Sequence, residues 1–173
     1  MEMNSQDTSE FMSHPQRVRS PFHHVLVPTD GSAASIDAGR LGIRIAHAHQ
    51  IPITFLYVVN RKTAAEIAAA SSSKTVEIVC RELGHKAHSY LDYLIRAAEK
   101  ESLEAHEIIR SGVPYREIAS LAREQGVDLI VIGQVGGRGT KQHHRAHIGS
   151  VTEHVIEHAP CPVLVVRHDS VRR

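Results

Sequence analysis

The sequence predicts an α/β fold: one domain on a doubly wound, open, parallel five-stranded sheet with helices on both faces. Three observations carry this. Short, nearly all-apolar runs rich in β-branched residues recur along the chain, stretches with helical apolar spacing alternate with them, and Gly, Pro, Asp or Ser punctuate the joins. Apolar runs of strand length suit strands covered on both faces, and their alternation with helices is the pattern of βαβ units.

The first strand is Val25-Leu26-Val27, running into the turn Pro28-Thr29-Asp30-Gly31-Ser32. Ser32 is placed to cap a helix whose apolar stripe is Ala34, Ala38, Leu41, Ile45 and Ala48. Ile53 to Val59 (ITFLYVV) is the second strand, completing a βαβ unit with a right-handed crossover. Residues 60–73 are small and polar, leaving a loop or a short helix open. Val76, Cys80, Leu83, Ala87, Leu91, Leu94 and Ala98 keep helical spacing, with Gly84 as the point where that helix would bend or break. Glu107 to Arg110 is read as the third strand. Ile118, Leu121 and Ala122 mark a helix opened by Pro114 and closed by Gly126. Asp128 to Ile132 forms the fourth strand, followed by a glycine-bearing loop from Gly133 to Gly149, a helix from Ser150 to about His158, and a last strand from Pro162 to Val166.

Length and composition bound the rest. The chain has 173 residues, 42% of them hydrophobic, enough for one domain core, placed at 21–168 between a polar, disordered arm at 1–20 and a tail at 169–173. Twenty Lys and Arg against 19 Asp and Glu leave no field that would draw nucleic acid or an anionic membrane. No apolar run reaches membrane-spanning length, no secretory signal opens the chain, and Cys80 and Cys161 form no C-x-x-C pair. A reducing, cytoplasmic setting is expected.

Two segments at the carboxyl ends of predicted strands carry chemistry. Pro28-Thr29-Asp30 offers a carboxylate that accepts from ribose hydroxyls or helps hold a divalent cation. The loop with Gly133, Gly136, Gly137 and Gly139, ending at Gly149-Ser150-Val151, offers close backbone approach and the N–H groups of a helix start, which suit a phosphate. Each has a plainer reading. Ser150-Val151-Thr152-Glu153 is an S-x-x-E capping box, and Asp30-Gly31-Ser32 is a turn with a helix cap. No P-loop and no G-x-G-x-x-G after a strand is present.

From Phe22 to Arg167 the chain resembles the universal stress protein family, through HHVLVPTDGSAAS, ITFLYVV, SGVPYREIASLAREQGVDLIVIG and GSVTEHVIEHAPCPVLVVR in that order. The resemblance implies an adenine nucleotide alpha hydrolase-like fold of the ATP-binding type, with ATP or AMP as ligand and Mg²⁺ beside the phosphates. Members that bind ATP are similar in carrying G-x-x-G, nine residues, then G-[ST]. Here Gly136, Gly139 and Gly149-Ser150 have that spacing, whereas Gly133 follows the strand directly. Either Gly133 and Gly136 are the first pair, with three residues inserted after them, or Gly136 and Gly139 are. The resemblance further implies that Asp30 and the backbone of Pro28 and Thr29 contact the nucleoside and Val58 meets the adenine through its backbone. It assigns the phosphates to Gly149-Ser150, and homodimerisation to the last strand.

Fourteen histidines need an account. His154-Val155-Ile156-Glu157-His158 spells the inverted zincin pattern, but little beyond the final strand follows it to supply a third ligand. His143, His144 and His147 lie in the glycine-bearing loop, and neither His85 with His88 nor His47 with His49 makes a ligand set. The function expected is nucleotide-binding regulation in a stress response, with hydrolysis slow at most because no general base with an orienting partner stands out. A dimeric interaction module without nucleotide and a weak nucleotide hydrolase are the alternatives.

Overall fold

The computed structural model describes residues 21–71, 73–136 and 148–168. The arm at 1–20, the tail at 169–173, and Gly139 with His143, His144 and His147 lie outside these. Five strands form one sheet in the order β3-β2-β1-β4-β5: β1 (Val25–Thr29), β2 (Ile53–Asn60), β3 (Ala105–Gly112), β4 (Leu129–Gly133) and β5 (Val163–Val166). All four pairings are parallel, with Val25 opposite both Ile53 and Leu129. The helices are α1 (Ala33–His49), α2 (Arg61–Ala69), α3 (Val76–Lys100), α4 (Pro114–Glu124) and α5 (Ser150–His158).

Alternation along each strand sends side chains to two separate cores. Val25, Val27, Ile53, Phe55, Leu129 and Val131 meet α1 and α3 on one face. Leu26, Leu56, Ile130 and Ile132 meet Ile118 and Leu121 of α4 and Val155 of α5 on the other. Each fully buried Leu, Ile or Phe contributes roughly 1.5–3 kcal/mol, so the three central strands dominate the stability.

Several elements differ from the sequence expectation. The buried face of α1 holds Ala34, Ser35, Ala38, Gly39, Gly42, Ile43 and Ala46; of the expected stripe Ala34 and Ala38 lie on it, whereas Leu41 and Ile45 are half-buried and Ala48 is exposed. The reason is close approach: a Cβ on Gly39 would lie 2.5 Å from Leu94, and one on Gly42 2.6 Å from Val27. Within 60–73 the chain forms α2, capped by Asn60, whose side chain accepts from Lys62 and Thr63. Its Ala64 and Ala68 meet Val79 of α3 in a small satellite core. Gly84 leaves α3 unbroken. β3 is longer than expected because it pairs residue for residue with β2 from Ala105 to Gly112, and as an edge strand it tolerates polar residues. The Pro114 start holds, and the chain after α4 turns through Gly126 at φ +62°. No helix among the described residues is long and apolar enough to cross a membrane.

Candidate functional site

In the strand order, β1 and β4 are neighbours whose onward connections leave on opposite faces, β1 into α1 and β4 toward α5. The carboxyl ends of strands at such a divergence are the place where open α/β sheets hold ligands.

The β1 side is a tightly bonded turn. Thr29 is buried, and its hydroxyl meets that of Ser35 at 3.0 Å while accepting from the Gly31 N–H at 3.3 Å. Ser35 Oγ donates to the Ser32 carbonyl at 2.9 Å, and Ser32 Oγ accepts from the Ser35 N–H at 3.2 Å, forming the expected helix cap. Asp30 Oδ1 accepts from the Ser32 N–H at 3.0 Å. Gly31 sits at φ +77°, and a Cβ there would lie 2.4 Å from the Tyr90 ring. The turn reading of Asp30-Gly31-Ser32 is what the structure shows: one oxygen of the carboxylate fixes the turn, and the residue stays exposed at the carboxyl end of β1.

On the β4 side, glycines set the spacing. A Cβ on Gly133 would lie 2.8 Å from Ala34 C and 2.9 Å from Ser35 N, so the end of β4 touches the start of α1 backbone to backbone. A Cβ on Gly136 would lie 2.5 Å from Asp30 Oδ2. Gly133 and Gly136 thus both lie against the β1 turn and the start of α1, and Gly139, of the alternative pairing, falls outside the described residues. The start of α5 is tied to the same loop. The Gly149 N–H donates to the Gln134 carbonyl at 2.8 Å, and the buried Thr152 hydroxyl donates to the Gly133 carbonyl at 2.8 Å.

The capping box does not form. Gly149 is the N-cap, without a side-chain bond, and Ser150 is the first helical residue, because the extended backbone of Gly149 starts the helix one residue earlier. The first-turn N–H groups, including those of Ser150 and Val151, lie beyond the reach of intrahelical acceptors. Both residues are exposed. Pro28 is buried in β1 opposite Leu56, and Val58 is half-buried on the α4 side of the sheet. The structure brings Asp30 beside Gly136, Gly133 against the start of α1, and Gly149, just before Ser150, onto the Gln134 carbonyl, all at the carboxyl ends of β1 and β4.

Sequence reading missed Tyr57 and Tyr90. Tyr57 of β2 stands opposite Thr29 in register. Burial, then the Asp30 charge and Tyr90, push its phenol above the usual range. Ser35 and Thr152, which hold the frame from inside, were also unread; a hydroxyl on the buried side of a helix is the signal that marks them.

The zincin-like letters have another use. His154 and His158 lie 4.9 and 5.1 Å from the Tyr115 ring, and each Nδ1 meets the carbonyl four residues earlier, at Ser150 and His154. His23 pairs with Asp128, His88 with Glu107 and His168 with Asp37. Among the described residues no group of three or more His, Cys, Asp or Glu could hold a metal ion.

With this geometry in place, comparisons with known proteins bear on the family. The model of the universal stress protein family matches residues 21–167. Universal stress protein MJ0531 of Methanocaldococcus jannaschii is 34% identical over 146 residues, which cover 84% of this chain and 82% of that protein. The solved structure of MJ0577, from the same organism, superposes with a TM-score of 0.73 at 25% identity, over 86% of this chain and 98% of its own. A universal stress protein solved in complex with cAMP superposes with a TM-score of 0.63 at 25% identity, over 87% of this chain and all of its own. The fold and these matches agree, and the chain belongs to the universal stress protein family.

Proposed function

We propose that this chain is a regulatory protein that binds an adenine nucleotide, ATP or AMP, in the crevice between the ends of β1 and β4. The observation that carries the reading is the meeting of the Asp30 carboxylate with the Gly136 backbone, beside an α5 start bonded to the same loop. In this reading Asp30 accepts from the ribose, and the backbone of Pro28, Thr29 and Val58 lies along the nucleoside. Gly133 and Gly136 admit the ligand to the loop, and the N–H groups of Ser150 and Val151 with the Ser150 hydroxyl hold phosphate, favoured by the helix dipole. The solved relative with cAMP supports a nucleotide as ligand class.

Mg²⁺ fits as a companion of the phosphates, since one carboxylate plus phosphate oxygens and water is an ordinary environment for it. Asp30 is the residue that would hold it, in place of the ribose contact and not beside it. Occupancy is read as biasing a homodimer formed through β5, an edge strand of four apolar residues with Leu164 38% exposed. Both cysteines are free thiols, in keeping with a cytoplasmic setting.

The test is to denature the purified protein, resolve released small molecules by ion exchange, and titrate the native protein with ATP and AMP by calorimetry. Released nucleotide or a saturable heat abolished by Asp30→Ala is expected. No released nucleotide and no heat at millimolar ligand overturns the reading in favour of an interaction module. Turnover that disappears with Asp30→Ala, in a variant that still folds, favours a hydrolase. Light scattering with Leu164→Lys tests the dimer, which should dissociate.

A further inference from the structure

We infer that the Tyr57 hydroxyl is a second sugar-recognising group, which donates to the same ribose hydroxyl that Asp30 accepts from. The inference rests on the nucleotide reading above and adds a residue to it. Tyr57 is placed by strand register: it stands opposite Thr29, the residue before Asp30, and its ring lies on the α3 side of the sheet. Tyr90, from α3, closes the same corner, with its ring filling the space beside Gly31. Asp30 is therefore flanked by Gly136 on the β4 side and by two tyrosines on the β2 side.

Hydrogen-bond chemistry then limits what the phenol can do. Tyr57 is half-buried, no hydrogen bond of its hydroxyl to another described residue occurs, and no buried side-chain oxygen or nitrogen there lacks a partner, so this phenol is not sealed in the core. Burial and the neighbouring carboxylate keep the phenol protonated. An ionised Asp30 only accepts, whereas a protonated phenol donates. A sugar hydroxyl does both, so a single ribose hydroxyl can satisfy the two groups together. A site built to bond a hydroxyl on both sides discriminates against a ligand that lacks it.

The experiment compares wild type with Tyr57→Phe, titrating each by calorimetry with AMP, 2′-deoxy-AMP and 3′-deoxy-AMP and recording thermal midpoints. Tyrosine emission is followed as well, since the chain has no Trp and four Tyr. The expected result is AMP binding weakened roughly 3- to 10-fold, one deoxy analogue bound equally by both proteins, and smaller emission quenching by AMP in the variant. Equal AMP affinity in both proteins overturns the inference while leaving the nucleotide reading standing. An equal loss for AMP and both deoxy analogues also overturns it, as the mark of a purely structural tyrosine. Wild type that binds no AMP at millimolar concentration removes the nucleotide reading itself.

Discussion

Replacing Gly136 by alanine should damage the site without damaging the fold. The added Cβ would lie 2.5 Å from Asp30 Oδ2 and 3.6 Å from its Cγ. Reaching ordinary van der Waals contact, at about 3.4 Å, requires the carboxylate or the loop to move by about 0.9 Å. Gly136 is exposed and outside the positive-φ region, so alanine suits its backbone and even restricts the unfolded chain, by about 0.4–1 kcal/mol. Asp30 is exposed and yields by swinging its carboxylate, at the expense of the bond that Oδ1 accepts from the Ser32 N–H at 3.0 Å. A displacement of that size removes a charge-assisted hydrogen bond to the ribose, about 1.5–3 kcal/mol, or roughly 10- to 150-fold in affinity. Calorimetric titration with AMP, with a thermal melt of the same sample, measures both sides. A dissociation constant within twofold of wild type, in a variant that melts normally, would refute the argument that Gly136 shapes the Asp30 pocket.

Gly133→Ala should behave in the opposite way. Its Cβ would meet the backbone of Ala34 and Ser35 at 2.8 to 3.0 Å, and since neither wall is a flexible side chain, denaturant melts should show a loss of about 1–3 kcal/mol. Ser150→Ala should change stability by less than about 0.5 kcal/mol, because Gly149 and not Ser150 is the N-cap. It should weaken ATP binding in the same titration that shows the fold intact. Asp128 accepts from the His23 and His24 N–H groups and pairs with the His23 ring. Burial opposes its ionisation, but these bonds outweigh it and hold the carboxyl below its ordinary range. Its folded pKa being the lower, the stabilisation is complete above the unfolded value, near 3.8, and is lost as pH falls through the folded one. Asp128→Asn should therefore lower the thermal midpoint at pH 7, with the gap to wild type shrinking in acid.

The parts of the fold legible in the sequence are those where one signal dominates. β1, β2 and β4 are short apolar runs because both their faces are covered, and α4 is bounded by a proline and a glycine whose backbones leave few alternatives. The face of α1 was misread because periodicity weighs large side chains, whereas the buried side is marked by Gly39 and Gly42, whose value lies in what they lack. β3 was read short because an edge strand keeps polar residues at its ends. At the site, Asp30 and the glycines could be read from their places after strands, and the family resemblance supplied their order. Tyr57 could not be read. Its meaning depends on standing opposite Thr29, and strand register across a βαβ unit is set by tertiary packing.

The division between frame and ligand-facing groups explains how one crevice can be polar and still stable. The frame satisfies itself: Thr29 with Ser35, Thr152 with Gly133, Gly149 with Gln134. No buried side-chain polar atom among the described residues lacks a partner, so the frame imposes no desolvation cost that a ligand must relieve. Asp30, Gly136, Ser150 and Val151 are exposed. On the nucleotide reading proposed above, each contact with the ligand would replace a contact with water and contribute only a modest net gain. Affinity at such a site must accumulate from ribose, base and phosphate together, after the cost of immobilising the ligand. A site of this construction would respond to changes in ligand concentration, because its affinity would be the sum of several modest contacts.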